Sequence, residues 1–549
     1  MMKKIFTALA LIALATTGAW ACTNFLVGKK ASVDGSTFVS YSADSYGFFG
    51  YLCHYPRATH AAGTLRQIHD WDSGKYLGNI AEAPQTYNVI GNINEFQVTI
   101  AETTFGGRPE LHDSTGVMDY GSLIYVALQR SRTAREAIQV MTSLVKEYGY
   151  YSSGESFSIA DPNEIWIMEM IGKGPHNKGA VWVAIRIPDD CIAAHANQSR
   201  IHQFPLNDKE NCLYSPDVIS FAKEKGYFKG KDKDFSFSKA YSPADFGALR
   251  FCEGRVWSFF NMMQKGFGEK HLPYIKGETT TPMPLYIHAD KKISARDLQH
   301  AMRDHYEGTA LDFTNDASAG KFKSPYRLSP LTFKVNGVEY FNERPISTQQ
   351  SAFSFVSQMR ASLPNAIGGV LWFGLDDANM TVFTPVYCQT DRVPHAYAED
   401  NGDCVTFSWT SGFWIYNWVA DIIRPRYSQM IGDFRAVQNE LEDKFASQQA
   451  SIEKVALELY NESPEKAGQF LTDYTCQTAD ATIARWKELG EFLIVRYNDG
   501  AVKKMKDGRL MRPTTGHTAP LTRPGYDKEY LEQMVKQTGD RYKVTKIKE

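Results

Sequence analysis

The chain has 549 residues, of which 43% are hydrophobic and 22% charged, and its formal net charge is −2. That is ordinary for a globular protein and enough chain for one large or two moderate domains. The near-balanced charge gives no basis for nucleic-acid binding or for docking on an anionic membrane.

The first element is a leader. Lys3 and Lys4 precede a short apolar run from Ile5 to Ala15, and Thr16 to Ala21 supplies small residues ending in Ala19-Trp20-Ala21. This is the grammar of a cleaved secretory signal, too short to span a bilayer. Residues 1–21 are read as a signal peptide and the remainder as exported, to the periplasm or the outside. Cleavage after Ala21 makes Cys22 the first mature residue. A bacterial lipid-attachment site would want leucine three residues before the cysteine and small residues between, and Ala19 and the bulky Trp20 fit that poorly.

Beyond Cys22, two short strands run through Phe25 and Val27 and through Phe38, Val39 and Tyr41, joined at Asp34-Gly35 as a hairpin. Two further strands are read between Asn88 and Phe105. Tyr120 to Gln129 reads as an apolar helix. A second helix over Thr133 to Tyr148 carries a Thr133/Glu136 capping box and stops at Gly149. Strands return on both sides of Asp161-Pro162-Asn163 and over Val181 to Ile187. Lys225 to Lys239 reads as a surface loop, Ala248 to Gln264 and Ala295 to Glu307 as helices, and Gly368 to Phe373 and Met380 to Tyr387 as strands. From residue 414 the composition turns helical, with long segments from Pro425 and Pro464, each started by its proline. Strand runs and helix runs are segregated, so the class is α+β, with a main domain over 22–413 and a helical extension and basic tail over 414–549.

Eight cysteines are scattered without a CxxC pair. Cys388 and Cys404, flanking a turn-rich segment, are a candidate disulfide; buried reduced cysteines are the competing reading. The histidines show no HExxH and no ligand-like spacing, so no metal and no cofactor are inferred.

Cys22 carries the chemistry. A free thiol has a pKa of about 8.5 and needs a base to attack. An α-amine has a pKa of about 7.7–8.0, so an N-terminal cysteine holds nucleophile and base in one residue. Taken alone, a cysteine behind a signal is more often a disulfide or lipid-attachment residue. The segments that follow reverse that balance. CTNFLVGKKASVDGST, GNINEFQVTIAETTFGGR, FSIADPNEIWIMEM, HANQSRI, LRFCEGRVWSFF, HYEGTALDFT and LPNAIGGVLWFGLDD resemble, in order, the cysteine dipeptidases of the N-terminal-nucleophile (Ntn) hydrolases, the dipeptidase A or PepD type. The resemblance spans nearly all of the chain after the leader and extends more distantly to penicillin V acylases and bile salt hydrolases.

The resemblance implies a four-layer αββα sandwich and hydrolysis of dipeptides. It places Asp44 at the amine of Cys22, Asn197 at the developing oxyanion and Arg255 near the thiolate. Thr104 stands where the amidases have a second oxyanion asparagine. Tyr41 replaces an arginine of the amidases and is grouped with the substrate-binding candidates. His195, two residues from Asn197, is a candidate pocket residue, and a papain-like pairing with Cys22 is conceivable. Glu102 and Glu169 are candidates for a substrate ammonium and Arg200 for its carboxylate, with ordinary ion pairs as the alternative. The function so read is an exported thiol dipeptidase working through a thioester. An acyl-amidase on the same fold and a peptide-binding surface lipoprotein are the alternatives. Dipeptide substrates are the expected partners, with no nucleic acid, no membrane insertion and homo-oligomerisation left open.

Overall fold

The computed structural model describes residues 22–546; the signal-peptide expectation lies outside them. β1 (Thr23–Val27) and β2 (Thr37–Asp44) form the expected antiparallel hairpin. Its turn is held by Asp34, whose carboxylate accepts the Ser36 N–H at 3.1 Å, and by Gly35 at φ +82°, where a side chain would be strained. β3 (Thr99–Gly106) follows a short meander. α1 (Tyr120–Leu128) starts on Asp119, which accepts the N–H groups of Gly121 and Ser122. α2 (Ala134–Tyr148) starts on Thr133 and ends at Gly149, φ +83°. Only half of the expected capping box forms: Thr133 accepts the Glu136 N–H, but the Glu136 carboxylate takes the N–H of Arg132, one residue further back.

β4 (Gly154–Ala160) and β5 (Ile165–Gly172) turn at Asp161, which accepts the N–H groups of Asn163 and Glu164. β6 (Ala180–Ile187) and β7 (Ile192–His195) follow. Residues 225–239 are less loop-like than expected, because Phe235 and Phe237 are buried and a short helix, Phe237–Tyr241, begins inside the segment. The helix expected from Ala248 is π-wound over Ala248–Glu253 and α-helical only from Gly254 to Met263 (α3). β8 (Ser351–Met359), β9 (Val370–Leu375) and β10 (Thr384–Tyr387) complete the strands of the core. α4 (Gly412–Ile423), α5 (Tyr427–Glu462) and α6 (Pro464–Tyr497) form the helical C-terminal region.

All pairings are antiparallel within two large sheets. One runs β7-β1-β2-β8-β9-β10, with Tyr286–Ile287 added outside β7; the other runs β6-β5-β4-β3 and continues through the meander. They pack face to face through β1 and β2 against β3 and β4. α1 and α2 cover the outer face of the second sheet, and α3 to α6 cover that of the first. Strand alternation sends Phe25 outward to stack on Phe259 of α3, ring centroids 3.9 Å apart, and turns Cys22 and Asn24 toward the facing sheet.

The helical region shares the core of the first sheet. α5 brings in two buried carboxylates: Glu442 takes Arg303 and the Phe383 N–H, and Glu453 takes both ends of the Arg360 guanidinium. A buried acid stripped of its arginine is left uncompensated, so these pairs fix the placement of the helix. All eight cysteines are free. The candidate Cys388–Cys404 bridge is absent: Cys388 is buried against the Asn365 carbonyl at 3.1 Å, whereas Cys404 is exposed. Among the described residues no helix is long and apolar enough to cross a membrane.

Candidate active site

Register alone assembles the centre. β1 lies between β2 and β7, with Thr23 opposite Ser42 and Asn24 opposite His195. One step further, Cys22 stands between the end of β2, where Asp44 sits, and Asn197, just past β7. Asn197 adopts φ +62°, which turns the chain out of the strand and which asparagine tolerates better than most residues.

Arg255 ties this group together from α3. Its guanidinium donates to the Cys22 carbonyl at 2.7 Å, to Thr23 Oγ1 at 2.9 Å, to the Ala196 carbonyl at 3.1 Å and to Asn197 Oδ1 at 2.9 Å. The Asn197 amide is thereby oriented, and its Nδ2 donates to the Thr104 carbonyl at 2.8 Å. Burial, and then the neighbouring Arg344, lower the Arg255 pKa to about 10, still a cation at neutral pH. The π-turn before α3 aims this arginine: its Nε donates back to the Phe251 carbonyl.

The thiol faces a hydroxyl and a carboxyl. Cys22 Sγ lies 3.6 Å from Tyr41 Oη and donates to Glu102 Oε1 at 3.4 Å, and Tyr41 Oη donates to the same oxygen at 2.8 Å. Burial, then the charges of Glu102 and Asp44, hold the thiol well above its ordinary pKa; a backbone hydrogen bond at Asp44 and the Tyr41 hydroxyl oppose them. Without a base beside it, this sulfur stays protonated. Glu102 faces a second buried acid, Glu155, and burial raises both pKa values. The Oε2 atoms of both, and the Tyr150 hydroxyl, have no protein hydrogen-bond partner.

Asp44 is buried and accepts from Ser42 Oγ at 2.9 Å, from Ser351 Oγ and from the Arg344 guanidinium. Arg344, Ser351 and Glu155 were not anticipated from sequence. A cation from outside β2, Arg344, thus pairs with Asp44.

Three predicted residues take other places. Thr104 positions Asn197 through its carbonyl, while its hydroxyl donates to Glu155 at 2.7 Å, so its side chain is turned away from an oxyanion role. Arg200 is committed to a buried ion pair with Glu253 at 2.8 Å and to the carbonyls of Ala194 and Pro284. Glu169 accepts the Ile201 N–H at 3.2 Å along with Ser199 and the Arg200 N–H. Both serve as internal anchors, not as readers of a substrate's charged ends.

His195 is fully buried between the sheets, with Nδ1 at 2.7 Å from Thr103 Oγ1 and Nε2 at 2.8 Å from Ser158 Oγ. It is neither a thiol partner nor a pocket residue. Burial, with Arg200 nearby, lowers its pKa to about 3. Below the unfolded value of about 6.5, the unfolded chain therefore binds a proton that the folded chain refuses. Stability contributed by the neutral ring is present above that value and is lost as pH falls from there toward about 3, by roughly 1.4 kcal/mol per pH unit. Denaturation titrations at pH 7, 6 and 5 should show this slope, and His195→Gln should flatten it; an unchanged slope in the variant would remove His195 as its source.

Among the described residues, one group of ligand-capable side chains lies close enough to share an ion, Asp190, Cys191 and His288, and it stands at the far end of β7 from Asn197. No such group includes Cys22.

The family model of peptidase family C69 matches residues 21–54 and 49–440 of the chain. A probable dipeptidase of Latilactobacillus sakei is 25% identical over 479 residues, covering 82% of this chain and 90% of its own length. A probable dipeptidase of Salmonella dublin is 28% identical, covering 70% and 85% respectively. Dipeptidase A of Lactobacillus helveticus is 25% identical, covering 82% and 90%. With the match running through Cys22, Asp44 and Asn197 and the strands beside them, the chain belongs to peptidase family C69 and is a hydrolase of peptide bonds.

Proposed function

We propose that this protein is an exported dipeptidase with the αββα arrangement of Ntn hydrolases, and that its N-terminal cysteine cleaves dipeptides through a thioester. The observation that carries the reading is Arg255, which holds the Cys22 carbonyl and the Asn197 amide in one hydrogen-bonded unit. Cleavage after Ala21 frees the Cys22 amine, and that amine takes the thiol proton. The sulfur attacks the scissile carbonyl, and the developing oxyanion is met by Asn197 Nδ2. A donor of that kind contributes about 2.7–4 kcal/mol to the transition state. The leaving amine departs with the proton from the Cys22 ammonium, and water then hydrolyses the thioester.

The acid pair supports dipeptides over N-acylated substrates. In a substrate with a free N-terminus, the α-nitrogen lies about 2.5 Å from the carbonyl carbon under attack. Glu102 Oε1, 3.4 Å from Sγ, is placed to meet an ammonium at that position. The Glu102 carboxylate faces the Glu155 carboxyl, which burial holds well above its ordinary pKa, so the pair presents one negative charge to that ammonium. An acylated nitrogen brings no charge there and adds bulk.

The test is intact-mass analysis and N-terminal sequencing of protein recovered from the export compartment, alongside a dipeptide hydrolysis assay. The expected product starts at an unmodified Cys22 and releases both amino acids. A diacylglycerol adduct on Cys22, or a retained leader in active protein, would defeat the mechanism.

A further inference from the structure

Cys191 and His288 are brought together by strand register. β7 pairs antiparallel with Tyr286–Ile287, with Ile192 opposite Ile287. One step beyond that ladder, Cys191 and His288 face each other across the sheet edge, though they lie 97 residues apart in sequence. Asp190 completes the group. Cys191 Sγ is 3.7 Å from His288 Nδ1 and 3.8 Å from Asp190 Oδ1, and His288 Nδ1 is 3.7 Å from Asp190 Oδ2.

These separations have a chemical meaning. Zinc bonds of about 2.3 Å to sulfur and 2.0–2.2 Å to nitrogen and oxygen, set tetrahedrally, put the donor atoms roughly 3.4–3.6 Å apart. With one ligand atom from each residue, the three donors all lie within 4.8 Å of one another, so they need to close by up to about 1.3 Å. The two that must move lie at the surface, the His288 and Asp190 side chains being 70% and 59% exposed, and the 3.3 Å contact of His288 Nδ1 with the Asp190 carbonyl gives way on binding. Cys191 is only 2% exposed, just beneath them. The adjacent carboxylate, Asp189, is engaged by Lys29, Lys30 and Arg186, so the neighbouring cations are directed away from Asp190.

We propose that Asp190, Cys191 and His288 form a surface binding site for a zinc-type divalent transition ion, with water as the fourth ligand. A thiolate, an imidazole and one carboxylate favour such an ion over magnesium or calcium, which take oxygen ligands. On binding, the Cys191 thiol proton passes to solvent and the sulfur bonds the metal. The site lies at the end of β7 remote from Asn197, so it takes no part in the proposed hydrolysis.

The experiment uses the full chain carrying Cys22→Ala, which removes the other functional thiol from the readout. Zn²⁺ titrated against a chromophoric chelator should report one ion per chain. Co²⁺ in its place should give a thiolate-to-cobalt charge-transfer band in the near ultraviolet. His288→Ala, a change at an exposed side chain, should weaken Zn²⁺ binding at least tenfold, and Cys191→Ser should remove the band. Equal Zn²⁺ affinity with and without His288, a cobalt spectrum lacking the thiolate band, or no Zn²⁺ bound would overturn the assignment.

Discussion

Replacing Cys22 with alanine should lower dipeptide turnover at least about 10⁴-fold, because the nucleophile, not merely its binding partner, is removed. The change deletes one sulfur from a site where the Cys22 backbone carbonyl stays bonded to Arg255. The fold should therefore persist, and thermal melting should fall by only a few degrees. The small residues before the cleavage point are untouched, so the variant should still be processed to a new N-terminus, as intact mass would show. Product release followed by chromatography decides the outcome. Activity within tenfold of wild type in correctly processed protein would show that the sulfur of Cys22 is not the attacking atom. Cys22→Ser offers a graded comparison: it keeps the α-amine and supplies a weaker nucleophile, so it should fall between the two.

The second large effect concerns the substrate's own charge. N-acetylation of a good dipeptide should lower kcat/KM by about 10²–10³, equivalent to about 3–4 kcal/mol, within the cost of leaving a buried carboxylate without its cation. Glu102→Gln should reduce hydrolysis of the free dipeptide by a similar factor. It should close much of the gap to the acetylated substrate, because the neutral amide no longer distinguishes them. Parallel assays with a free dipeptide, its N-acetyl form and penicillin V separate the readings. Equal rates on free and acetylated dipeptides would remove the ammonium role of Glu102, and a clear preference for penicillin V would move the protein to the acyl-amidases.

Local chemistry was legible where neighbours in sequence are neighbours in space. Asp34-Gly35, Asp161-Pro162-Asn163 and Thr133 each direct the chain through contacts within a few residues, and each acts where the sequence places it. Cys22 is marked by the leader before it, whereas Asp44, Asn197 and Arg255 carry no local signature and come from the family resemblance; the structure joins Cys22, Asn197 and Arg255 in one hydrogen-bonded group and pairs Asp44 with Arg344. β8 escaped notice because Ser351, Ser354 and Ser357 break the apolar pattern of a strand. They are buried there as small residues, Ser357 bonded to Thr99 of the facing sheet at 2.6 Å. Arg344 escaped because its partner Asp44 lies 300 residues away, a distance over which periodicity says nothing. His195 misled for the opposite reason: closeness to Asn197 in sequence does not make it a neighbour in the site, since its ring is bonded between the sheets to Thr103 and Ser158; Arg200, offered as a reader of a substrate carboxylate, is taken instead by Glu253.

The span from Asp44 to Arg344 also sets an order of events. A ribosome releases Cys22 and its hairpin early, and at that stage neither the cation on Asp44 nor the strand that flanks β2 on its far side yet exists. Closure of that long loop awaits chain beyond residue 351, when Ser351 and β8 arrive together. The nascent chain thus carries the Cys22 sulfur long before it carries Arg344, Ser351 and β8. The surroundings of Asp44 are completed only by the second half of the molecule.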